Sequence, residues 1–396
     1  MNSAPTTRRL PRLAALDGLR FVAAGAVMLF HYTAAEKLLW GNPSRLEFPT
    51  MNLLTRYGYL GVQLFFVISG FVILMTAYGR RVQDFVASRV SRLFPAYWVA
   101  VVGTFLLQSF WHGDRESTAL QALVNLTMLQ GALGVPGVQG AFWTLWVELK
   151  FYLLIGLFVV VGMTRQRVIA FALLWPLLAK IADATDSAVL VSLLMPSHAP
   201  YFAAGMLMYV AHRHGHNLLV WLGIGVNYVL CVLQAVKYAR DRSPEITGTE
   251  MSGVVVAALV TAMFAAVLLC SNGWLSRIEW RWLTAVGALT YPVYLVHGQL
   301  GFFVIDVLHA GRNSYLVLAA AMVASFAVAW LIHTGVEKPF ARPLRVAINR
   351  SLTDQVDLHE PGERTGPEPT SVEVAVPRAR PERPTGSPRE GLVRDE

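Results

Sequence analysis

Arg20 and His31 stand eleven residues apart in "LDGLRFVAAGAVMLFHYTAA" (16–35), a stretch apolar enough to sit in a bilayer. A guanidinium and an imidazole are expensive in hydrocarbon, so each needs a partner or a task. Eleven residues of α-helix make three turns plus about 20°, so both side chains point the same way, about 16 Å apart. An imidazole titrates near neutrality and can act as a general base or a nucleophile. A guanidinium matches the geometry of a phosphate. Asp17, three residues before Arg20, lies on nearly the same face and can orient it. Such a stripe would line an internal cavity running from one membrane edge most of the way across.

Other residues extend this pattern. Arg89 and Arg92 are neighbours on one helical face at the start of a later apolar run. Glu148 is the acid in the middle of a run, and Thr144, Glu148 and Tyr152, spaced by four, form one polar stripe. Counted from the ends of their runs, Glu148 and His31 fall at similar depth, so Glu148 is the expected partner of His31; a pair with Lys150 is the alternative. His297 falls in the same half of the membrane, either binding an acceptor or packing. Ser69, Tyr152, Tyr294 and Asp17 join it as candidates for acceptor binding or support, although Ser69, with Gly58, Gly61 and Gly70, equally suits close helix packing. The turn "HRHGH" (212–216) reads as a solvated loop, and no metal site is expected.

These residues must be held by membrane helices. Of 396 residues 55% are hydrophobic and 15% charged, with a mean hydropathy of +0.48, whereas soluble domains carry about 25% charged residues. Ten runs are long enough to cross ~30 Å of hydrocarbon: 17–35, 58–77, 94–112, 142–163, 168–185, 188–211, 217–236, 252–272, 283–306 and 314–336. The expected fold is therefore all-α and polytopic, about ten transmembrane helices around a central cavity. Pro176, Pro196 and Pro200 predict breaks in the fifth and sixth spans. Residues 119–134 are expected at the interface or folded back into the protein. The start "RRLPR" resembles a signal peptide, but the ionisable residues of the first run mark a retained helix.

With the N-terminus inside, inner loops collect 17 Lys and Arg against eight outside, which predicts both termini in the cytoplasm. Basicity is here a topology signal and implies no nucleic-acid partner. From residue 351 the chain holds six Arg against ten acids and seven prolines, so the first 350 residues carry a net +12. The expected organisation is a cytoplasmic N-terminus (1–16), a membrane domain (17–340) and a disordered tail (341–396). Cys231 and Cys270 lie in apolar runs and form no disulfide framework. Heavy use of Ala, Val and Arg fits a bacterial plasma membrane protein.

The first helix resembles that of the membrane acyltransferase-3 family, whose signature is Arg or Lys, ten residues, then His. The likeness continues in order through "GYLGVQLFFVISGFVI" (58–73), "RVSRLFPAYW" (89–98), "FWTLWVELKFYLL" (142–154) and "YPVYLVHG" (291–298). Two departures are Thr144 where the family has Ser, and "ELK" where an acid and Gln often follow the Glu. The resemblance implies an enzyme moving an acyl group, usually acetyl, from cytoplasmic acyl-CoA to a hydroxyl of a sugar-containing acceptor. That acceptor would be a cell-surface glycan, a lipid-linked sugar or a glycosylated natural product. In that reading His31 and Glu148 are catalytic, and Arg20, Arg89 and Arg92 hold the donor. Acyl-CoA is then a co-substrate, with no permanently bound cofactor, and the lipid bilayer is the remaining partner. No hydrolase-like domain is expected after the last span. The alternative is a proton-coupled transporter with Arg20, His31 and Glu148 as its relay, against which stands the absence of a visible inverted repeat.

Overall fold

Backbone amides cannot remain unpaired in hydrocarbon, so apolar runs of this length wind into helices. A computed structural model describes residues 13–35, 38–113, 115–185 and 187–358, and among them there is no strand. The helices are α1 (Ala14–Thr33), α2 (Ser44–Glu47), α3 (Pro49–Thr55), α4 (Leu60–Ala77), α5 (Val82–Gln108), α6 (Ala119–Asn125), α7 (Trp143–Val161) and α8 (Arg165–Asp183). They continue as α9 (Ala188–Leu194), α10 (Ala199–His214), α11 (Leu218–Thr247), α12 (Gly253–Ser271), α13 (Arg281–Leu308), α14 (Ser314–Ile332) and α15 (Lys338–Leu358). Nine stretches among the described residues are long and apolar enough to cross a membrane. The expected span missing from these nine, the fifth, is α8, which has 19 residues and adequate length, but Arg165, Arg167, Lys180 and Asp183 dilute its apolar character.

Of the two breaks expected from proline, one occurs. The sixth span divides into α9 and α10 at Met195, which takes a left-handed conformation (φ 53°) just before Pro196. The fifth stays continuous through Pro176. Proline withholds an N–H from the carbonyl four residues earlier, here Ala172, and Asn227 of α11 supplies the missing donor at 3.2 Å. Side-chain repair of this kind lets a membrane helix carry proline without kinking.

α1 packs against α13 and α4, α13 against α14, and α4 against α10. The α4–α10 contact is backbone to backbone. A Cβ on Gly70 would run into the carbonyl of Phe202, and one on Gly205 into the carbonyl of Val67. α7 packs on α4 and α5. The stretch around α6 folds back as expected, with Asn125 Nδ2 donating to the Pro136 carbonyl at 3.0 Å and Trp98 Nε1 to that of Leu126 at 3.0 Å.

The membrane domain differs from expectation by under one turn at its start and by several turns at its end. α1 already begins at Ala14. The tail, expected to be disordered from residue 341, is helical to Leu358; there Asn349 Nδ2 donates to Asp84 Oδ1 of α5 at 3.1 Å. The remainder of that tail, 359–396, lies outside the described residues, as does most of the N-terminal segment.

Candidate active site

His31 sits half-buried near the end of α1, facing α13. Its Nδ1 is 2.9 Å from His297 Nε2, and the two rings lie parallel within 6°. His297 is 1% exposed, and its Nδ1 lies 2.9 Å from the Tyr294 carbonyl and 3.3 Å from that of Val293. A carbonyl can only accept, so His297 Nδ1 carries the proton and its Nε2 is an acceptor. His31 Nδ1 must then be the donor between the rings, which leaves the lone pair of the neutral His31 ring on Nε2. The Tyr294 and Val293 carbonyls thus fix two tautomers in sequence. The α13 backbone is held in turn by Tyr32, whose hydroxyl donates to the His297 carbonyl at 2.6 Å.

The expected His31–Glu148 pair gives way to this one. Glu148 Oε1 accepts from Tyr152 Oη at 2.5 Å and from Ser69 Oγ at 3.3 Å. The reason lies in helix packing. α7 leans on α4 and α5, which aims Glu148 at Ser69 of α4, while α1 has α13 as its principal neighbour and His31 meets His297 there. Similar counts from the helix ends did not mean a shared azimuth. The alternative Glu148–Lys150 pair is also replaced, because Lys150 Nζ donates to the Ser192 carbonyl at 2.6 Å and lies over the Trp146 ring.

Three cavities share walls in series. A chamber of about 640 Å³ is lined by Asp17, Arg20, Arg89, Arg92 and residues of α15. The same three arginines, with Gly287 and Tyr291, also line a slot of only about 80 Å³, which holds Ser69, Glu148 and Tyr152 among apolar side chains such as Phe65, Ile73 and Leu93. Val62 and Tyr294 end the slot and form a wall of a second chamber, about 710 Å³, which contains His31. Tyr294 is held at this partition by its hydroxyl, 2.7 Å from Thr144 Oγ1 and donating to the Ala141 carbonyl at 3.1 Å. With Val27 and Ala141 it forms a small apolar cluster separate from the main core.

The structure therefore gathers Arg20, Arg89, Arg92, Glu148, Ser69 and Tyr152 into the slot, and puts His31 and His297 at its far end with Tyr294 between. The Arg89 guanidinium lies 5.9 Å from the centre of the Tyr152 ring. Asp17 stays with Arg20 in the basic chamber. Gly58, Gly61 and Gly70 are packing positions, whereas Ser69 faces the slot. The rings of "HRHGH" pack apart, His212 on Phe71, His214 on Tyr78 and His216 on Trp221.

Sequence reasoning missed Lys338, Arg342 and Arg345, which line the basic chamber beside the bonded pair His333–Glu337 (2.7 Å). A π-helical turn over His333–Glu337 precedes α15, and such turns recur at functional sites. In the sequence these cations read as topology markers; their i, i+4 and i+7 spacing was the available signal.

A family model described as an acyltransferase domain matches residues 13–334. The chain is 27% identical to the acyltransferase MdmB of Streptomyces mycarofaciens, over 85% of this chain and 93% of that protein. It is 23% identical to YrhL of Bacillus subtilis, named as a candidate peptidoglycan O-acetyltransferase, over 87% of this chain and 56% of that one. The peptidoglycan O-acetyltransferase OatA of Listeria monocytogenes is 22% identical over 83% and 55% respectively, so the chain spans about half the length of these two relatives. No solved structure matches. Since the matched region takes in both histidines, the three slot arginines and Glu148, the chain belongs to the membrane acyltransferase-3 family, as a multi-pass membrane protein.

Proposed function

We propose that the chain transfers an acyl group, acetyl in the first instance, from acyl-CoA to a hydroxyl of a sugar-containing acceptor. One observation carries this reading: a wide cationic chamber, a slot of about 80 Å³ and a wide chamber with a tautomer-fixed histidine follow one another along α1. Coenzyme A has the matching profile of a polyanionic nucleotide, a thin arm and a thioester at its tip. The basic chamber sets Arg20, Arg89, Arg92, Lys338, Arg342 and Arg345 against Asp17 and Glu337, a net +4. Guanidinium groups bind phosphates in bidentate fashion. The relatives named for peptidoglycan O-acetylation support a sugar polymer or its precursor as acceptor. The excess of Lys and Arg in the loops of the donor side supports a cytoplasmic position for that chamber and for both termini, in a bacterial plasma membrane.

In the reaction His31 Nε2 takes the proton of the acceptor hydroxyl as its oxygen attacks the thioester carbon at the Tyr294 end of the slot. The carbon–oxygen bond forms, the carbon–sulfur bond breaks, and the imidazolium returns the proton to the departing thiolate, giving free CoA. As His31 becomes charged, its Nδ1–H bond to His297 Nε2 becomes charge-assisted and stronger, so the dyad favours the transition state over the ground state. The slot residues position the donor and take no proton.

Purified protein given acetyl-CoA and sugar acceptors should release CoA and add ~42 Da to the acceptor, the net gain when an acetyl group replaces a hydroxyl hydrogen, and His31→Ala should lose at least ~10³-fold of this activity, the upper range for a general base. CoA release by His31→Ala within tenfold of wild type would sink the assignment.

A further inference from the structure

The His31 chamber carries polar groups that the transfer chemistry leaves unused. Tyr59 Oη, Gln63 Oε1, His198 Nδ1 and Gln234 Oε1 are buried atoms with no hydrogen-bond partner among the described residues, and all four residues line this chamber. Buried polar atoms are almost always bonded, so four orphans converging on one cavity point to a ligand. They come from three places in the fold. Tyr59 and Gln63 stand one turn apart at the start of α4, His198 precedes α10, and Gln234 lies within α11. The orientation of Gln234 is set, because its Nε2 donates to the Pro196 carbonyl at 2.6 Å and so turns Oε1 away from that bond.

An aromatic wall completes the arrangement. Trp143, at the first position of α7, lines the same chamber and remains 50% exposed, with its ring 5.5 Å from that of His198. The charges lining this chamber are mixed. Lys180, Lys237 and Arg242 alternate with Asp183 and Asp241, a net +1 where the basic chamber has +4, and Lys180 already pairs with Asp183 at 3.8 Å.

We propose that these groups form an acceptor subsite for an uncharged, polyhydroxylated ring, such as a hexose or N-acetylhexosamine unit. Its hydroxyl or amide protons are donated to Gln63 Oε1 and Gln234 Oε1, Tyr59 Oη and His198 Nδ1 bond neighbouring hydroxyls, and the apolar face of the ring lies on Trp143. Amide oxygens can only accept, so they reject the carboxylate or phosphate oxygens of an anionic sugar. This rests on the acyltransferase reading and adds the chemistry of the acceptor to it.

The test uses the full-length protein in detergent with acetyl-CoA and three oligosaccharide probes: neutral N-acetylglucosamine oligomers, their de-N-acetylated cationic form and a uronic acid oligomer. The neutral probe should be the preferred acceptor. Gln63→Leu and Gln234→Leu should each raise its KM about tenfold, as expected for one lost hydrogen bond, and Trp143→Ala at least as much. The KM for acetyl-CoA should stay within twofold, which also reports that the variants are folded. Unchanged acceptor KM in both glutamine variants, preference for the uronic acid, or CoA release without acetylation of the neutral probe would overturn the proposal. A wild-type protein that releases no CoA from acetyl-CoA would instead remove the acyltransferase reading on which it rests.

Discussion

Replacing His297 by Phe tests the histidine pair most directly. The variant keeps a flat buried ring but removes the acceptor that holds His31 Nδ1 at 2.9 Å. His31 then loses both its fixed tautomer and the bond that strengthens as the ring gains a proton. A hydrogen bond to a charged group contributes about 1.5–3 kcal/mol, which corresponds to a fall in kcat of about 10- to 150-fold. The effect should be smaller than the ~10⁴-fold typical of a triad carboxylate, because neutral imidazole stabilises the cation less. His297→Gln should fall between wild type and Phe, since an amide oxygen can still accept from His31 Nδ1. Acetyl-CoA KM, measured in the same CoA-release assay, should move less than twofold, because the donor groups lie beyond the Tyr294 partition. A kcat within twofold of wild type in His297→Phe, or equal losses in the Phe and Gln variants, would refute the pairing.

Four further outcomes follow from the same geometry. Arg20→Ala should raise acetyl-CoA KM at least tenfold with a smaller fall in kcat, and Lys338, Arg342 and Arg345 changed together to Gln should give a similar rise that shrinks at high salt; a collapsed kcat with unchanged KM would deny the phosphate role. Glu148→Gln removes the carboxylate that shares the slot with three guanidiniums, and should lower thermal stability in detergent and weaken acetyl-CoA binding while leaving acceptor KM unchanged; a change confined to the pH dependence of kcat would return Glu148 to His31. Asn227→Leu leaves the Ala172 carbonyl without its donor, at a cost of about 1–3 kcal/mol, and should appear as a lower melting temperature with normal kinetics.

The reading from sequence reached the helices and the two ends of the site because each rests on local signals. Apolar runs fix the spans, and the Arg20–His31 spacing fixes a face through helix geometry alone. Position along each helix was also legible: His31 falls in the last turn of α1 and Glu148 at the sixth residue of α7. Azimuth between helices was not. Whether His31 looks toward α7 or α13 depends on which small residues let which backbones approach, and the Gly70–Gly205 contact that orders α4 and α10 pairs positions 135 residues apart. Gln63 and Gln234 were invisible for a related reason. A lone glutamine in an apolar run looks like packing until both amide oxygens are seen to be orphaned in one chamber. Pro176 misled because the Asn227 that repairs it belongs to another helix.

A protein that carries wide cavities at both ends of one slot must also act as an electrical insulator. A proton or metal ion crossing a charged bilayer dissipates about 2.3 kcal/mol per 100 mV, and a continuous water file beneath His31 would short-circuit the membrane that this chain inhabits. The slot resists this by its small volume of about 80 Å³, its apolar walls and three guanidiniums that repel cations. Tyr294, pinned to Thr144 and Ala141, closes its far end. On the proposed reading a seated donor's own arm would occupy the remaining space. On that reading group transfer would proceed without current, and the narrowest part of the molecule would guard the membrane voltage as well as guide the donor.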